Sequence, residues 1–256
     1  MFKIASWNVN SLRVRLPHVL DWLRTNSPDV LALQETKLTD DIFPVEQFAA
    51  AGYQAIYSGQ KTYNGVAILS KLPLQLVSAE FPGFVEPQKR VLCATAGKIG
   101  VLNLYVPNGS EVGSDKYQYK LDWLSHLQSY ARNVLEQHTY CILLGDFNIA
   151  PADQDVYDPA EWQGQVLCSE PERTHFFRLI DAGFKDCFRL FPQQENSYSW
   201  WDYRAAGFRR NRGLRIDHIL ADTGLAGRCV SCQIDKAPRK LEQPSDHAPI
   251  FAEFDI

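Results

Sequence analysis

Short apolar runs bounded by Asn, Asp, Gly and Pro recur along the whole chain, and their length is that of strands. Phe2 to Val9, Val30 to Gln34, Gln54 to Tyr57, Val66 to Leu69 and Val91 to Thr95 form an early group. Ile99 to Val106, Cys141 to Leu144, Ile216 to Leu220 and Pro249 to Phe254 form a later one. Ala96-Gly97-Lys98 lies between two of these runs and reads as a hairpin turn. A different period marks the helices. Leu124, Leu127, Ala131 and Val134 step by three or four, which predicts one buried face of a long helix from about Lys116 to His138. Shorter helices are expected over Val14 to Arg24 and Glu172 to Ala182, with Pro17 in the first turn of the former, where its missing N–H is harmless.

Strands and helices mixed in this order, with direct strand-to-strand turns, predict a layered α/β protein with substantial antiparallel pairing. Strict strand–helix alternation of the dinucleotide-binding kind is absent. No Pro/Ser-rich linker, repeat or low-complexity tract divides the chain, so one domain over residues 1–256 is the simpler expectation. The polar stretch from Asp153 to Ser169 reads as an excursion from that domain.

At 256 residues and 45% apolar content the chain can bury a full core without disulfide staples. Its uncharged stretches, among them Ile99 to Ser110 with Asn103, Pro107, Asn108 and Gly109, fall short of the roughly 18 apolar residues of a membrane span. The N-terminus, from Lys3 into Trp7-Asn8-Val9-Asn10, shows no secretory h-region, so a cytoplasmic location and no membrane partner are expected. The six cysteines are scattered; Cys229-Val230-Ser231-Cys232 lacks the second pair that a zinc site requires, and reduced, structural thiols are expected. The formal charge of −4 argues against a protein that coats nucleic acid. Yet Arg204, Arg209, Arg210, Arg212 and Arg215 fall in one acid-free run, which is either a solvated face or a phosphate-binding one.

The candidate chemistry lies where the apolar runs end. Glu35 follows Val30 to Gln34, Asp146 follows the run ending Leu144-Gly145, Asn8 and Asn10 close the first run, and Asn148 stands two residues past Asp146. Asp217 is embedded in Arg215-Ile216-Asp217-His218-Ile219-Leu220, and Asp246-His247 precede the last strand. One acid at a strand end is ordinarily a turn or cap residue. If these strands are neighbours, however, one rim collects four carboxylates, three amides and an imidazole. Asp217 is the sharpest case, because a carboxylate within an apolar strand requires a partner. Oxygen donors predominate, so a hard cation such as Mg²⁺ or Mn²⁺ suits the set better than zinc and points to phosphoryl chemistry.

Eight segments then carry a resemblance: Trp7-Asn8-Val9-Asn10-Ser11-Leu12, Leu33-Gln34-Glu35-Thr36-Lys37, Tyr63-Asn64-Gly65-Val66-Ala67, Leu104-Tyr105-Val106-Pro107-Asn108-Gly109, Gly145-Asp146-Phe147-Asn148-Ile149, Ser199-Trp200-Trp201-Asp202-Tyr203-Arg204, Gly213-Leu214-Arg215-Ile216-Asp217 and Pro244-Ser245-Asp246-His247-Ala248-Pro249. In this order, over nearly the whole chain, they resemble the exonuclease III family of the endonuclease/exonuclease/phosphatase superfamily. The resemblance implies a four-layer α/β sandwich, two facing mixed β-sheets with helices outside. It also implies a Mg²⁺-dependent phosphodiesterase of DNA repair, a monomer acting on double-stranded DNA with abasic sites or 3′ ends.

Carried over residue by residue, the resemblance makes Glu35 the principal metal ligand, with Asn10 near the metal and Asp246 supporting that region. Asp146 would orient and deprotonate the attacking water, supported by Asn8. His247, held by Asp217, would bind the scissile phosphate together with Asn148 and Tyr105. Consecutive residues on a strand point to opposite faces, so only one of Trp200 and Trp201 can reach DNA. The resemblance favours Trp200, grouped with Leu214 and Ile216 as an apolar pocket for a sugar lacking its base. Arg204 would enter the duplex beside the lesion, and Asn108 would meet phosphate.

One segment departs from the pattern: many family members carry an aromatic and paired acids where this chain reads Val166-Leu167-Cys168-Ser169-Glu170-Pro171-Glu172-Arg173. The loop from Asp153 to Ser169 therefore bears on access and on the balance between internal and 3′-end cleavage. The competing readings are a phosphodiesterase of the same superfamily acting on RNA or a phosphorylated small molecule, and an inactive nuclease-like binder. The intact set of Glu35, Asp146, Asn148, Asp217, Asp246 and His247 speaks against the latter.

Overall fold

The computed structural model describes residues 1–85 and 87–256. The chain runs through β1 (Phe2–Asn8), α1 (Leu12–Asn26), β2 (Val30–Gln34), α2 (Val45–Ala50), β3 (Gln54–Ser58), β4 (Val66–Ser70), β5 (Leu74–Ser78), β6 (Val91–Ala96) and β7 (Ile99–Tyr105). It continues with α3 (Asp115–Gln137), β8 (Tyr140–Asp146), α4 (Pro159–Trp162), α5 (Glu170–Asp181), β9 (Phe184–Asp186), β10 (Trp200–Trp201) and β11 (Gly213–Leu214). The last elements are β12 (Asp217–Asp222), α6 (Thr223–Ala226), β13 (Cys229–Ile234) and β14 (Ile250–Phe254).

Two six-stranded sheets result, in the orders β13-β14-β1-β2-β4-β3 and β5-β6-β7-β8-β12-β9. All pairings in them are antiparallel except β1 with β2 and β7 with β8, and each of these parallel pairs is joined through a helix, α1 or α3. Ile4, Val30 and Ile68 of one sheet meet Val101, Ile142 and Ile219 of the other in the central layer. On the outside, Trp7, Leu31 and Leu33 pack against Leu12, Val19 and Trp22 of α1. On the opposite side, Leu102, Leu143 and Leu220 pack against α3 and α5. The result is the four-layer sandwich. The four periodic positions that mark α3 are all buried, joined by Trp123 and Tyr130. Burial on that scale, about 1.5–3 kcal/mol per large apolar side chain, is what fixes a helix this long to its sheet.

Every apolar run singled out in the sequence lies on a strand. The strands without such a run, β5, β9, β10, β11 and β13, are short or at sheet edges, where one face meets solvent and the pattern breaks up. Two expectations are corrected. Helix α1 starts at Leu12 rather than Val14, so Pro17 sits six residues in, beyond the first turn. It faces solvent, and so does Arg13, whose carbonyl loses the N–H donor four residues on. Helix α5 starts at Glu170, two residues early, because Ser169 and Glu172 form a capping box across its first turn. No helix among the described residues is long and apolar enough to cross a membrane.

Candidate active site

The alternation of strand side chains gathers the polar residues. In β1, Phe2 and Ile4 point between the sheets, so Ser6 and Asn8 do as well; in β2, Val30 and Ala32 bring Gln34 with them. Ile142 and Leu144 carry Asp146 into the same space, and Asp217 leads Ile219 and Ala221 there from the antiparallel neighbour. Register completes the placement: Asp217 lies directly opposite Asp146, and Tyr105 pairs with Asp146 from the other side. Gly145 permits the approach, since a Cβ there, at φ 141°, would meet the Leu104 carbonyl oxygen at 1.9 Å.

Asp146, Asp217 and His247 are buried and form a chain. His247 Nδ1 lies 2.8 Å from Asp217 Oδ2, and its Nε2 lies 3.7 Å from Asp146 Oδ2. Asp217 Oδ1 is buried with no hydrogen-bond partner among the described residues, and the His247 imidazole is the group bonded to its other oxygen. Burial works against a charged imidazole, but Asp217, Asp146 and Asp246 outweigh it and raise the pKa of His247 to about 10. The Asp146 carboxyl is shifted upward as well: burial and the nearby Asp217 push it to about 7, against the pull of His247 and the Asn8 amide. Its oxygens are oriented by Asn8 Nδ2 at 2.9 Å and by the Asn148 backbone N–H at 2.9 Å. Asn148, in a left-handed conformation at φ 48°, is held by its side-chain amide on the Val106 carbonyl and by Asn108, which donates to its Oδ1 at 3.2 Å.

Glu35 faces this chain from the other sheet. Tyr105 donates to its Oε1 at 2.8 Å, Asn8 donates to the same oxygen at 3.0 Å, and Lys37 pairs with Oε2 at 2.9 Å. Burial opposes its ionisation, yet Lys37, the Asn8 amide and His247 together hold the carboxyl below its ordinary range. The Tyr105 hydroxyl is pushed well above its usual pKa by burial and by Glu35, so it stays a donor. Asn10 donates to Asp246 Oδ1 at 2.9 Å, while Trp200 Nε1 donates to Asp246 Oδ2 at 3.0 Å. The Lys37 ammonium bonds both Glu35 Oε2 and Asn10 Oδ1, so these oxygens converge on a point that attracts positive charge. An all-oxygen set of this kind fits a hard divalent cation. Among the described residues one group of three His, Cys, Asp or Glu side chains, Asp146, Asp217 and His247, has ligand atoms within 4.8 Å of one another. Two of its members are already bonded to each other.

The site opens into a cavity of about 340 Å³ lined on its polar side by Glu35, Tyr105, Asn108, Asp146, Asn148, Asp246 and His247. Its other wall is Trp162, Val166, Leu167, Trp200 and Ile216, and Asp202 and Arg204 stand at the mouth. Asn8 and Asp217 sit behind the cavity, and Leu214, fully buried, backs Trp200 from the core. Trp201 faces the opposite way and is core. The arginine run divides. Arg204, Arg209, Arg210 and Arg212 are exposed, but Arg215 is not part of that face: it is buried and bridges Asp155 at 2.6 Å and Asp186 at 2.8 Å. The alternation of an extended segment turned it inward, where two carboxylates sustain its charge. Arg204 is forked onto Asp202 through three contacts of 2.7–3.1 Å.

Two facing sheets that offer an acid–imidazole chain and an opposed carboxylate across one cavity define a hydrolase of the phosphodiesterase kind. Residues 5–247 match the Endonuclease/Exonuclease/phosphatase family, and the chain belongs to it. It is 40% identical to exodeoxyribonuclease III of Haemophilus influenzae over 98% of this chain and 99% of that one. It is 32% identical to the DNA repair nuclease APEX1 of Danio rerio, over 97% of this chain and 80% of that one. Among solved structures it superimposes on the 3′ phosphatase NExo from Neisseria bound to a product DNA hairpin, with a TM-score of 0.98, 46% identity and full coverage of both chains. An AP endonuclease from Archaeoglobus fulgidus gives a TM-score of 0.96 and 40% identity, again over both whole chains.

Several residues of the site carry no isolated sequence signal. Lys37 lies within a recognised segment but nothing in its spacing places its ammonium on Glu35. Gln34 and Asn103 form a buried bridge between the sheets, Gln34 Nε2 donating to Asn103 Oδ1 at 2.7 Å, with Ser6 beside them. Here a signal exists: each is a polar residue at an inward position of an apolar strand, as Asp217 is. Ser199 and Ser245 hold the backbones of Asp217 and His247 through their hydroxyls, at 3.0 and 3.2 Å.

Proposed function

We propose that this chain is a divalent-metal-dependent DNA phosphodiesterase of base excision repair that processes 3′ ends and abasic sites in duplex DNA. The observation that carries the reading is the meeting of Glu35, Asp146, Asn148, Asp217 and His247, drawn from both sheets, around one cavity. Asp146, a buried carboxylate with a raised pKa, takes the proton of the attacking water, and Asn8 and the Asn148 N–H set its direction. His247, kept cationic by Asp217, and the amide of Asn148 and hydroxyl of Tyr105 receive the charge that grows on the phosphate oxygens. Mg²⁺, or Mn²⁺ in its place, held by Glu35 with Asn10 and supported through Asp246, would add positive charge at the phosphate and the leaving oxygen. One domain, a monomeric state and a cytoplasmic location belong to the same proposal.

The balance of activities follows from the cavity wall. Leu167 stands at φ 75°, a conformation that glycine adopts freely and a leucine does not, and it packs with Ile216 and Leu214 where a base-free sugar would enter. Filling that space disfavours an internal abasic nucleotide more than a 3′ terminus, which can approach from the open side. A panel of end-labelled duplexes bearing an internal abasic site, a 3′-phosphate or a recessed normal 3′ end, with Mg²⁺ or EDTA, tests the reading. The 3′-phosphate duplex is expected to react fastest and EDTA to abolish every activity; cleavage that persists in EDTA, or none on any duplex, overturns it. Leu167→Gly is expected to raise the abasic-site rate relative to 3′-phosphate release, and an unchanged ratio would remove Leu167 from substrate choice.

The exposed arginines supply the binding surface. Arg209 and Arg210 make no ion pair among the described residues, so both are available to phosphates. Replacing both by Ala should reduce the slope of log K against log salt by up to about 2 for duplex DNA, roughly 0.9 per lost contact. A slope equal to that of the parent protein would make them a solvated face only.

A further inference from the structure

Beneath the cavity lies an ion pair with no exposure at all. Lys120 of α3 and Glu172 of α5 are both fully buried and bonded to each other. Lys120 Nζ also donates to the backbone carbonyls of Asn148, at 2.7 Å, and Asn108, at 3.1 Å. Glu172 accepts from the backbone N–H of Leu167 and of Ser169, each at 3.0 Å. Three loops that frame the cavity are thereby tied to two charges, and a single pair spans both helices of that layer. Replacing a buried pair by apolar residues of equal volume is often neutral for stability, and capping of α5 accounts for Glu172 but not for Lys120, whose ammonium reaches the cavity loops instead.

We propose that Lys120 and Glu172 are the positioning unit of the site, a buried clamp that sets the side-chain amide of Asn148, and through it the phosphate. The proposal rests on the role assigned above to Asn148. The reason is geometric. Asn148 holds a left-handed backbone conformation, which costs energy and persists only where its surroundings fix it. The Lys120 ammonium fixes its carbonyl, and the Asn108 carbonyl on the same ammonium keeps the neighbouring amide, the donor to Asn148 Oδ1, in step. Helices α3 and α5 serve as the rigid base from which a loop donor is aimed.

Lys120→Met alone would strand a buried carboxylate, so the variant to use is Lys120→Met/Glu172→Gln, which removes both charges at similar volume. It is expected to melt cooperatively, to release a 3′-phosphate with kcat lowered about 10–100-fold, part of what removal of a transition-state donor costs, and to keep KM within about threefold. The deciding readout is a cycle with Asn148→Ala. That change should cost about 100-fold in the parent and only about threefold in the double variant, because the clamp acts through Asn148. Equal losses in both backgrounds overturn the proposal. If the double variant does not fold, the same cycle on Lys120→Gln/Glu172→Gln, in which neutral amides replace both ions and neither charge is stranded, decides it by the same criterion. A second readout needs no activity: the Asn148 side-chain amide signal, assigned by its loss in Asn148→Ala, should shift in the free variant protein, and an unmoved signal overturns the clamp. A parent enzyme inactive on every duplex would strike the assignment of Asn148 to phosphate and leave this signal to judge the clamp.

Discussion

Asp146→Asn is expected to lower turnover by about 10²- to 10⁴-fold, the range a positioned general base contributes, while DNA affinity stays within a few-fold of the parent. The substitution keeps the shape of the side chain but only one of its two acceptors, so either Asn8 Nδ2 or the Asn148 N–H loses its partner, while the sheets and the surface arginines are untouched. What it removes is a carboxylate that burial and Asp217 have made a better base than an exposed one. The pH profile carries the same claim in another form. Asp146 must be ionised and His247 protonated, so kcat/KM should rise through about pH 7 and fall through about pH 10, the values to which their surroundings shift them. The acid limb should vanish in Asp146→Asn, and Asp217→Asn should move the alkaline limb downward by removing the charge that sustains the imidazolium. Weakened binding with normal turnover in Asp146→Asn would take the residue out of the proton-transfer role.

Glu35→Ala is expected to reduce metal-dependent cleavage by more than about a thousandfold, which corresponds to losing several kcal/mol of charge stabilisation at the phosphate. Glu35 accepts from Asn8, Tyr105 and Lys37, so its loss frees three donors at the edge of an open cavity, where water can take its place. The protein should therefore still melt as a cooperative unit. Calorimetric titration with Mn²⁺ in the absence of DNA separates the two consequences: binding present in the parent should disappear in Glu35→Ala. Unchanged turnover, or unchanged Mn²⁺ binding, would place the metal elsewhere, with the Asp146, Asp217 and His247 group the next site to test.

Most strands were legible because a strand buried on both sides needs apolar residues on both sides, and β1, β2, β4, β6, β7 and β8 write that requirement directly. Edge strands such as β5 and β13 face water on one side and leave no such run. The acids were legible for the complementary reason: a carboxylate within an apolar strand, as Asp217 is, is costly without a partner, and the acids at strand ends, ordinary one by one, stood out by their number. The family resemblance then named roles that pattern reading could not.

Local sequence determined which residues pair into strands, which face of α3 is buried and which polar side chains interrupt the core, because those properties repeat with the backbone's own period. Only tertiary structure decided that Arg215 turns away from its neighbours into Asp155 and Asp186, that Leu167 fills the cavity wall, and that Lys120 and Glu172 meet beneath Asn148. The physical reason is distance along the chain. Each of those contacts joins residues on different elements, and their energy depends on desolvation and on partners that no periodicity within one segment records.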